Sequence, residues 1–412
     1  MIRRTALSLA ALLAVVAVAA LLALLSPARQ TPPVAVDLPQ TSRVVCLVAG
    51  RVLVRDVANV EVRGLSGNAE SAEGGELTID EPVVLRAERR LAAGVLVEQE
   101  QRSYAPCQPA VTSGMVVVAD PASTELILAN ADGNEATVDL TLLGADGEVV
   151  AVGARGIALA PGSTRRVALS VLAPDGPVGV AFRASQGRVA LIGAAVEGRP
   201  TRFTPPSDPS TEHVVGGIPA GATAVQLLVS NPHENRVEVS VEALGASASF
   251  EPASATGISV APRSTMAIDL GDALAGEAAA LQIAADQAVG VSVVAGVGAG
   301  SPATLTGGVA SSELSLNAPG GSALVVSNPG DGEATVDVSV GGADQQLTVD
   351  AGLTVAVPLP EGGQLEVDLS ADSPVVAAAV SATEAGTVVV PAADSVDAAV
   401  RGVPARLDPT LR

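Results

Sequence analysis

The sequence predicts an all-β protein made of tandem immunoglobulin-like β-sandwich repeats that follow one N-terminal transmembrane helix. Three observations predict this: an uncharged N-terminal run, three near-copies of one segment, and apolar residues that alternate with polar residues within those copies. Valine is β-branched and favours strands, while 42 glycines and 28 prolines supply turns. A β-propeller-like closed repeat is the alternative arrangement.

Residues 1–29 are predicted to form a transmembrane anchor. Arg3 and Arg4 precede the run from Thr5 to Ser26, whose 22 residues carry no charge. A spanning helix needs about 20 apolar residues, whereas the apolar core of a cleaved signal has about 7–15. The positive flank is expected to stay in the cytoplasm. We therefore expect a single-pass plasma-membrane protein whose bulk is extracytoplasmic, with secretion after signal cleavage as the alternative.

A proline-rich linker is predicted over residues 30–42, and a diverged N-terminal β module over residues 43–113. This module contains Cys46 and Cys107, the two cysteines of the chain. An even pair of cysteines in an oxidising compartment is a disulfide candidate, and two buried thiols are the alternative. The cysteines do not have the spacing of a metal site, so no metal site is predicted.

Three copies of one segment fill most of the remaining chain, and we place them at 114–200, 201–301 and 302–391. The first long strand of each copy ends in an asparagine at a turn, namely Asn130, Asn231 and Asn328, which lie 101 and 97 residues apart. A second turn follows in each copy: Pro161-Gly-Ser-Thr164, Pro262-Arg-Ser-Thr265 and Ala351-Gly-Leu-Thr354. The tail, residues 392–412, contains a partial repeat strand.

The strands of these copies alternate with period two, as strands with one buried face do. Val237, Val239 and Val241, for example, alternate with Glu238 and Ser240. About seven such strands in roughly 85–100 residues is the rhythm of an immunoglobulin-like sandwich. Propeller blades usually take about 40–50 residues, which makes a propeller the second choice.

The repeated Asn-Pro-turn-Ala-Thr-Val-x-Val element, the later Pro-Gly-Ser-Thr turn and the single N-terminal apolar segment resemble an uncharacterised family of actinobacterial membrane-anchored or secreted proteins. The resemblance covers most of the chain after the linker. It implies no catalytic residue, because the family has no known activity. The first copy departs from the pattern with Ala131, where the other copies have Pro232 and Pro329.

Charge excludes some partners. The net charge is −21, every basic residue is arginine, and the stretch between Arg263 and Arg401 contains 17 acidic residues and no basic one. Such a surface repels nucleic acid and anionic polymers, so no nucleic-acid partner is expected. Acidity of this kind favours solubility, and weak cation binding at turn acids such as Asp331 and Glu333 is the less favoured interpretation.

No constellation of residues points to catalysis. His213 and His233 do not recur between the copies, and a P-loop is excluded because the chain contains no lysine. The four aromatic residues make a sugar-stacking platform an unfavoured interpretation. We expect no cofactor and a structural, scaffolding or partner-binding role in the cell envelope, with an envelope or cell-wall partner. The alternative is an envelope enzyme, or an accessory subunit of a cell-wall polysaccharide-processing system.

Overall fold

The computed structural model describes residues 42–394, apart from 56–58, 66–68, 71–76, 88–90, 174, 198 and 309. These residues form antiparallel sheets joined by turns and a few single helical turns, which confirms the all-β prediction. The predicted anchor, nearly all of the linker and most of the tail lie outside the described residues. Within the described ranges, no helix has the length and apolarity needed to cross a membrane.

The strands fall into four groups, which we call modules 1 to 4. Module 1 (residues 42–108) contains β1 (Ser42–Cys46), β2 (Gly50–Val54), β3 (Glu61–Gly64), β4 (Ala69–Glu70), β5 (Leu77–Ile79), β6 (Val83–Ala87), β7 (Ala93–Glu98) and β8 (Arg102–Pro106). Module 2 (residues 111–207) contains β9 (Ser113–Val118), β10 (Thr124–Asn130), β11 (Ala136–Gly144), β12 (Gly147–Val149), β13 (Ile157–Leu159), β14 (Ser163–Ala168), the helical turn α1 (Leu169–Leu172), β15 (Val178–Gln186), β16 (Ala190–Glu197) and β17 (Arg199–Thr204).

Modules 3 and 4 complete the described chain. Module 3 (residues 210–308) contains β18 (Ser210–Ile218), β19 (Ala224–Ser230), β20 (Val237–Leu244), β21 (Ser249–Phe250), a 3-10 turn (Ala253–Ala255), β22 (Ile258–Val260), β23 (Thr265–Asp269), α2 (Gly271–Leu274), β24 (Ala279–Gly296) and β25 (Ala303–Leu305). Module 4 (residues 311–394) contains β26 (Ser311–Pro319), β27 (Ala323–Ser327), β28 (Ala334–Val340), β29 (Ala343–Val349), β30 (Thr354–Pro358), β31 (Gln364–Thr383), β32 (Gly386–Pro391) and β33 (Ala393–Asp394).

The four modules share one strand order. The first sheet of module 1 runs β1-β6-β3-β4 and that of module 2 runs β9-β15-β11-β12, while the second sheets run β5-β2-β7-β8 and β14-β10-β16-β17. In modules 3 and 4 one long strand, β24 or β31, contributes to both sheets. An immunoglobulin sandwich orders its sheets A-B-E-D and C-F-G. The immunoglobulin-like assignment is therefore not confirmed by this strand order.

Each module buries an apolar core between its two sheets, because alternate side chains of a strand point to the same face. In module 2, Val116 of β9, Leu126 of β10, Leu140 of β11 and Leu191 of β16 belong to one buried cluster. The polar residues between them, such as Asp139, are partly exposed. The period-two pattern in the sequence thus marks which face of each strand is buried.

The central strands of a second sheet are buried on both faces, because the outer face packs against a neighbouring module. In module 2, Ile127 and Ala129 lie in the core of module 1, while Leu126 and Leu128 lie in the core of their own module. Residues 126–129 are all apolar for this reason, as in other strands buried on both faces.

The modules close into a ring within residues 40–400, which form one compact unit. Met115 of module 2 packs with Leu228 of module 3, and Val325 of module 4 lies in the core of module 3. Leu53 and Leu96 of module 1 lie in the core of module 4. Each module therefore contacts the next one, and the fourth contacts the first.

The strand at one end of each second sheet lies at the centre of this ring. These inner strands, β8, β17, β25 and β32, contact one another in cyclic order. Main-chain hydrogen bonds join these strands to the residues just before the next inner strand: Arg102 N–H donates to Ala385 O at 2.8 Å, and Thr387 N–H donates to Ser301 O at 2.8 Å. The predicted division between residues 200 and 201 falls inside β17, which pairs with the strand preceding it.

Candidate functional site

The three repeated asparagines are fully buried and hydrogen-bond to main-chain groups on both sides of the turn in a similar way in each module. The Asn231 amide donates to the main-chain carbonyl four residues later at 2.8 Å and to carbonyls 29 and 30 residues later. Its side-chain oxygen accepts the N–H two residues later at 2.8 Å. Asn130 repeats this arrangement, and Asn328 does so with a single distant carbonyl, that of Val349, 21 residues later. These asparagines satisfy buried backbone groups at a turn, which makes them structural residues.

The threonine of the second repeated turn connects neighbouring modules. Thr265 of module 3 donates its hydroxyl to Leu143 O of module 2 at 2.7 Å. Thr354 of module 4 donates to Leu244 O of module 3 at the same distance. Both threonines are buried. The threonine of the second repeated turn thus stabilises the contact between modules and also belongs to the turn.

The predicted Cys46–Cys107 disulfide is present, with a Cα–Cα distance of 4.3 Å. It lies beside the two hydrogen bonds that join Val45 to Gln108, where the segment after β8 returns to β1. The equivalent place in module 2 is the bridge between Met115 and Ser207. Both modules are closed by this pair of main-chain hydrogen bonds, and module 1 has the disulfide in addition.

An axial cavity lies where the four inner strands meet, and its volume is about 210 Å³. Two sets of equivalent positions, on the inner strands or directly after them, each contribute one residue per module to the lining, and we call these sets the two layers. The first layer consists of Tyr104, Phe203, Thr304 and Val389; the second consists of Pro106, Pro205, Thr306 and Pro391. Because the same positions of all four modules line it, the cavity is a property of the closed ring.

The chemistry of the axial cavity is mixed. Tyr104 and Phe203 supply aromatic surface, and Arg202, Ser103 and Thr387 add a guanidinium and hydroxyl groups to the lining. Ser103 is buried, and its hydroxyl has no hydrogen-bond partner among the described residues. Burial raises the pKa of the Tyr104 phenol well above its usual range, so the phenol is neutral. A buried polar group without a partner is uncommon in native structures and marks a place where a ligand group can bind.

The two histidines lie in module 3 and bind main-chain carbonyls. His213 Nε2 lies 2.8 Å from Val289 O, and His233 Nε2 lies 2.8 Å from Ala288 O. The turn acids Asp331 and Glu333 are exposed. Within the described part of the chain, no three His, Cys, Asp or Glu side chains lie close enough to hold a metal ion.

Sequence reasoning did not find the axial cavity, although one signal pointed towards it. Two of the four aromatic residues, Tyr104 and Phe203, stand just before a proline at the end of a repeat unit. The equivalent positions of modules 3 and 4 hold Thr304 and Val389 in place of an aromatic residue. Only the ring shows that these four positions face each other.

The fold defines an all-β repeat protein whose modules enclose an axial cavity. Residues 103–315 match a family of unknown function, DUF5719, and residues 307–376 match a domain of unknown function, DUF7407. The first match spans more than half of the chain, and the chain belongs to the DUF5719 family. The actinobacterial origin and the repeat motif inferred from the sequence remain predictions.

No curated protein matches the chain. One solved structure with a weak likeness is described as a "Ca2+-stabilized adhesin" that helps an Antarctic bacterium bind ice. It is 13% identical, covers 87% of this chain and 94% of its own, and has a TM-score of 0.11. At that TM-score the likeness carries no argument about fold or function.

Proposed function

We propose that this protein is a non-catalytic binding protein of the cell envelope, anchored by residues 1–29 with its modules outside the cytoplasm. The observation that carries the proposal is the axial cavity, to which all four modules contribute. Ligand sites occur preferentially at interfaces between domains. The Cys46–Cys107 disulfide supports the location, because disulfides persist in oxidising compartments. The ring corresponds best to a propeller-like closed repeat.

The lining indicates the class of ligand. The rings of Tyr104 and Phe203 contribute to the apolar part of the lining, while Ser103, Thr304 and Thr306 contribute hydroxyl groups. This combination suits a small polar molecule with one apolar face, such as a single sugar ring. Pockets for drug-sized ligands have volumes of roughly 300–1,000 Å³, so a cavity of about 210 Å³ takes a smaller molecule or one end of a larger one.

The proposal is tested by native mass spectrometry of the full chain purified from its own envelope, with released small molecules identified after unfolding. Thr306→Phe places an aromatic ring in the second layer of the cavity. Thr348→Phe makes the same change at an exposed position of β29 and serves as the matched control.

A bound small molecule is expected on the wild type and on the Thr348→Phe variant, and its loss is expected on the Thr306→Phe variant. Equal retention by both variants would place the ligand elsewhere. A wild-type chain that carries no small molecule and takes up none from an envelope extract would refute binding in the cavity.

A further inference from the structure

A second concave surface lies at the junction of modules 1 and 2. Its lining includes Arg43, Arg63 and Arg86 together with the carboxylates of Glu61 and Asp132. We call it the arginine cleft. Three arginines in one cleft are unusual for this chain, because its net charge is −21.

The arginine cleft occupies a place where later modules dock closely. Thr265 and Thr354 are each 2% exposed because the preceding module covers them. The equivalent Thr164 of module 2 is exposed, and the turn residues Pro161 and Gly162 line the cleft instead. Strand β3 of module 1 has four residues, whereas β11, at the same place in module 2, has nine. Among the described residues, the shortened first module therefore leaves open a surface that is covered at the junctions of module 2 with module 3 and of module 3 with module 4.

Two arginines of the cleft lie opposite each other in a position that lowers the stability of the sheet. Arg43 of β1 lies directly opposite Arg86 of β6, and such positions are about 5 Å apart in antiparallel strands. Like charges in this position destabilise a sheet. Arg86 also lies opposite Glu61 of β3, but Glu61 accepts from Arg63 at 2.8 Å.

The partners of the arginines differ. Arg43 donates to Asp132 at 3.0 Å, and Asp132 also accepts from Arg188 at 3.1 Å. Arg86 is exposed and forms no hydrogen bond or ion pair with any described residue. Among the described residues its guanidinium therefore has no fixed partner, and it is placed to bind a ligand in the cleft.

We propose that the arginine cleft binds a phosphate group, with Arg86 as the principal ligand and Arg63 beside it. Guanidinium groups bind oxyanions through pairs of parallel, charge-assisted hydrogen bonds. Acidic groups elsewhere act weakly here, because charges more than about 8 Å away are largely screened at physiological ionic strength. The phosphate can be free or can belong to a lipid headgroup. This proposal does not depend on the axial cavity.

The test is thermal melting and calorimetric titration of the full chain in detergent. The probes are inorganic phosphate and glycerophosphoglycerol, the deacylated headgroup of phosphatidylglycerol, each compared with chloride at equal ionic strength. The variants are Arg86→Gln, Arg86→Lys and Arg63→Gln. Arg236→Gln, at an exposed arginine of module 3, is the matched control.

Wild type and Arg236→Gln are expected to bind at least one probe. Arg86→Gln is expected to bind it about tenfold more weakly or worse, while Arg86→Lys keeps part of the affinity because it keeps the charge without the planar fork. Without ligand, Arg86→Gln is expected to melt at the same temperature as the wild type or higher, because the opposition to Arg43 is removed.

The two probes distinguish the sources of phosphate: binding of the diester points to a headgroup, and binding of inorganic phosphate alone points to a free ion. Two results would overturn the proposal. One is a wild-type chain that neither probe stabilises beyond chloride. The other is equal binding by the wild type and a chain carrying both Arg86→Gln and Arg63→Gln. If Arg86→Gln fails to fold, the Arg63→Gln and Arg86→Lys titrations test the proposal instead: weaker binding than the wild type supports it, and equal binding by both variants overturns it.

Discussion

At the scale of single residues, Arg263 combines a strained backbone with a contact between modules. Its φ is 51°, in the left-handed region, and the equivalent positions in modules 2 and 4 are Gly162 and Gly352 with φ of 64° and 70°. A side chain in this region costs about 1–2 kcal/mol. The Arg263 guanidinium pairs with Glu148 of module 2 across the junction. Both side chains are about one third exposed, so the pair offsets at most about 1 kcal/mol.

Two substitutions of Arg263 separate these effects. Arg263→Ala loses the ion pair and keeps the strained backbone, whereas Arg263→Gly loses the ion pair and relieves the strain. We therefore expect the free energy of unfolding of Arg263→Gly to lie within about 1 kcal/mol of the wild-type value. The free energy of unfolding of Arg263→Ala should be roughly 1 kcal/mol lower than that of Arg263→Gly. Urea unfolding of the three proteins checks the order. An alanine variant as stable as the glycine variant would contradict the argument from strain.

His213 is expected to make stability depend on pH. Burial lowers the pKa of its imidazole below the ordinary value, against the smaller opposing effect of the hydrogen bond to Val289 O. As pH falls through about 6.5, the unfolded chain takes up a proton that the folded chain does not. The neutral His213 imidazole therefore makes its full contribution to the free energy of unfolding above about pH 6.5. That contribution is lost as the pH falls towards the lowered pKa of the folded state.

Melting temperatures at pH 7.5 and pH 5.5 check this expectation. His213→Gln should lose less melting temperature between the two conditions than the wild type does. His233→Gln, on the other histidine of the chain, shows whether the difference belongs to His213. Identical slopes for wild type and His213→Gln would contradict the prediction.

At the scale of elements, the contacts between modules depend on buried hydroxyl groups at strand ends. Thr265, at the start of β23, donates to Leu143 O at 2.7 Å and accepts the N–H of Gly179 at 2.9 Å. Its hydroxyl also lies 2.9 Å from the Ser230 hydroxyl at the end of β19. Strands β19 and β23 of module 3 thus contact the first sheet of module 2 through these hydroxyl groups.

Thr265→Val keeps the shape of the side chain and removes the hydroxyl. The Leu143 carbonyl and the Gly179 N–H then lose a buried partner, and we expect a loss of roughly 2 kcal/mol in the free energy of unfolding. Thr348→Val, at an exposed position of β29, is the control. Chemical unfolding measures both variants, and a Thr265→Val loss no larger than the control would show that the hydroxyl contacts contribute little.

At the scale of the whole molecule, ring closure joins the two ends of the described chain. Arg55 of module 1 pairs with Glu366 and Asp368 of module 4, and Gln364 donates its side-chain amide to Val54 O at 3.0 Å. Module 4 carries many acids and no basic residue, so its arginine partner comes from module 1. The negative charge of module 4 is thereby partly neutralised at its contact with module 1.

The topology of the whole molecule is tested on intact cells. Because the uncharged run from Thr5 to Ser26 follows two arginines, we expect the modules to lie outside the cytoplasm. Protease added to wall-stripped intact cells should digest the modules. Protection of the modules until the cells are lysed would contradict this topology, and a mature protein that begins near Arg29 would indicate cleavage.

The all-β class, the repeated turns and the cysteine pair could be predicted from the sequence, because period-two alternation, turn residues and redox compartment are local or compositional signals. Asn231 and Thr265 were visible as repeated residues, but their roles in satisfying buried backbone and in docking modules depend on distant carbonyls.

Tertiary structure alone decided the strand order and the closure of the ring. Tyr104 and Phe203 line one cavity, and Arg86 lies opposite Arg43 in the cleft, only because sheets bring together residues far apart in the chain. Local patterns determine which face of a strand is buried, whereas packing between whole sheets determines which distant strands become neighbours.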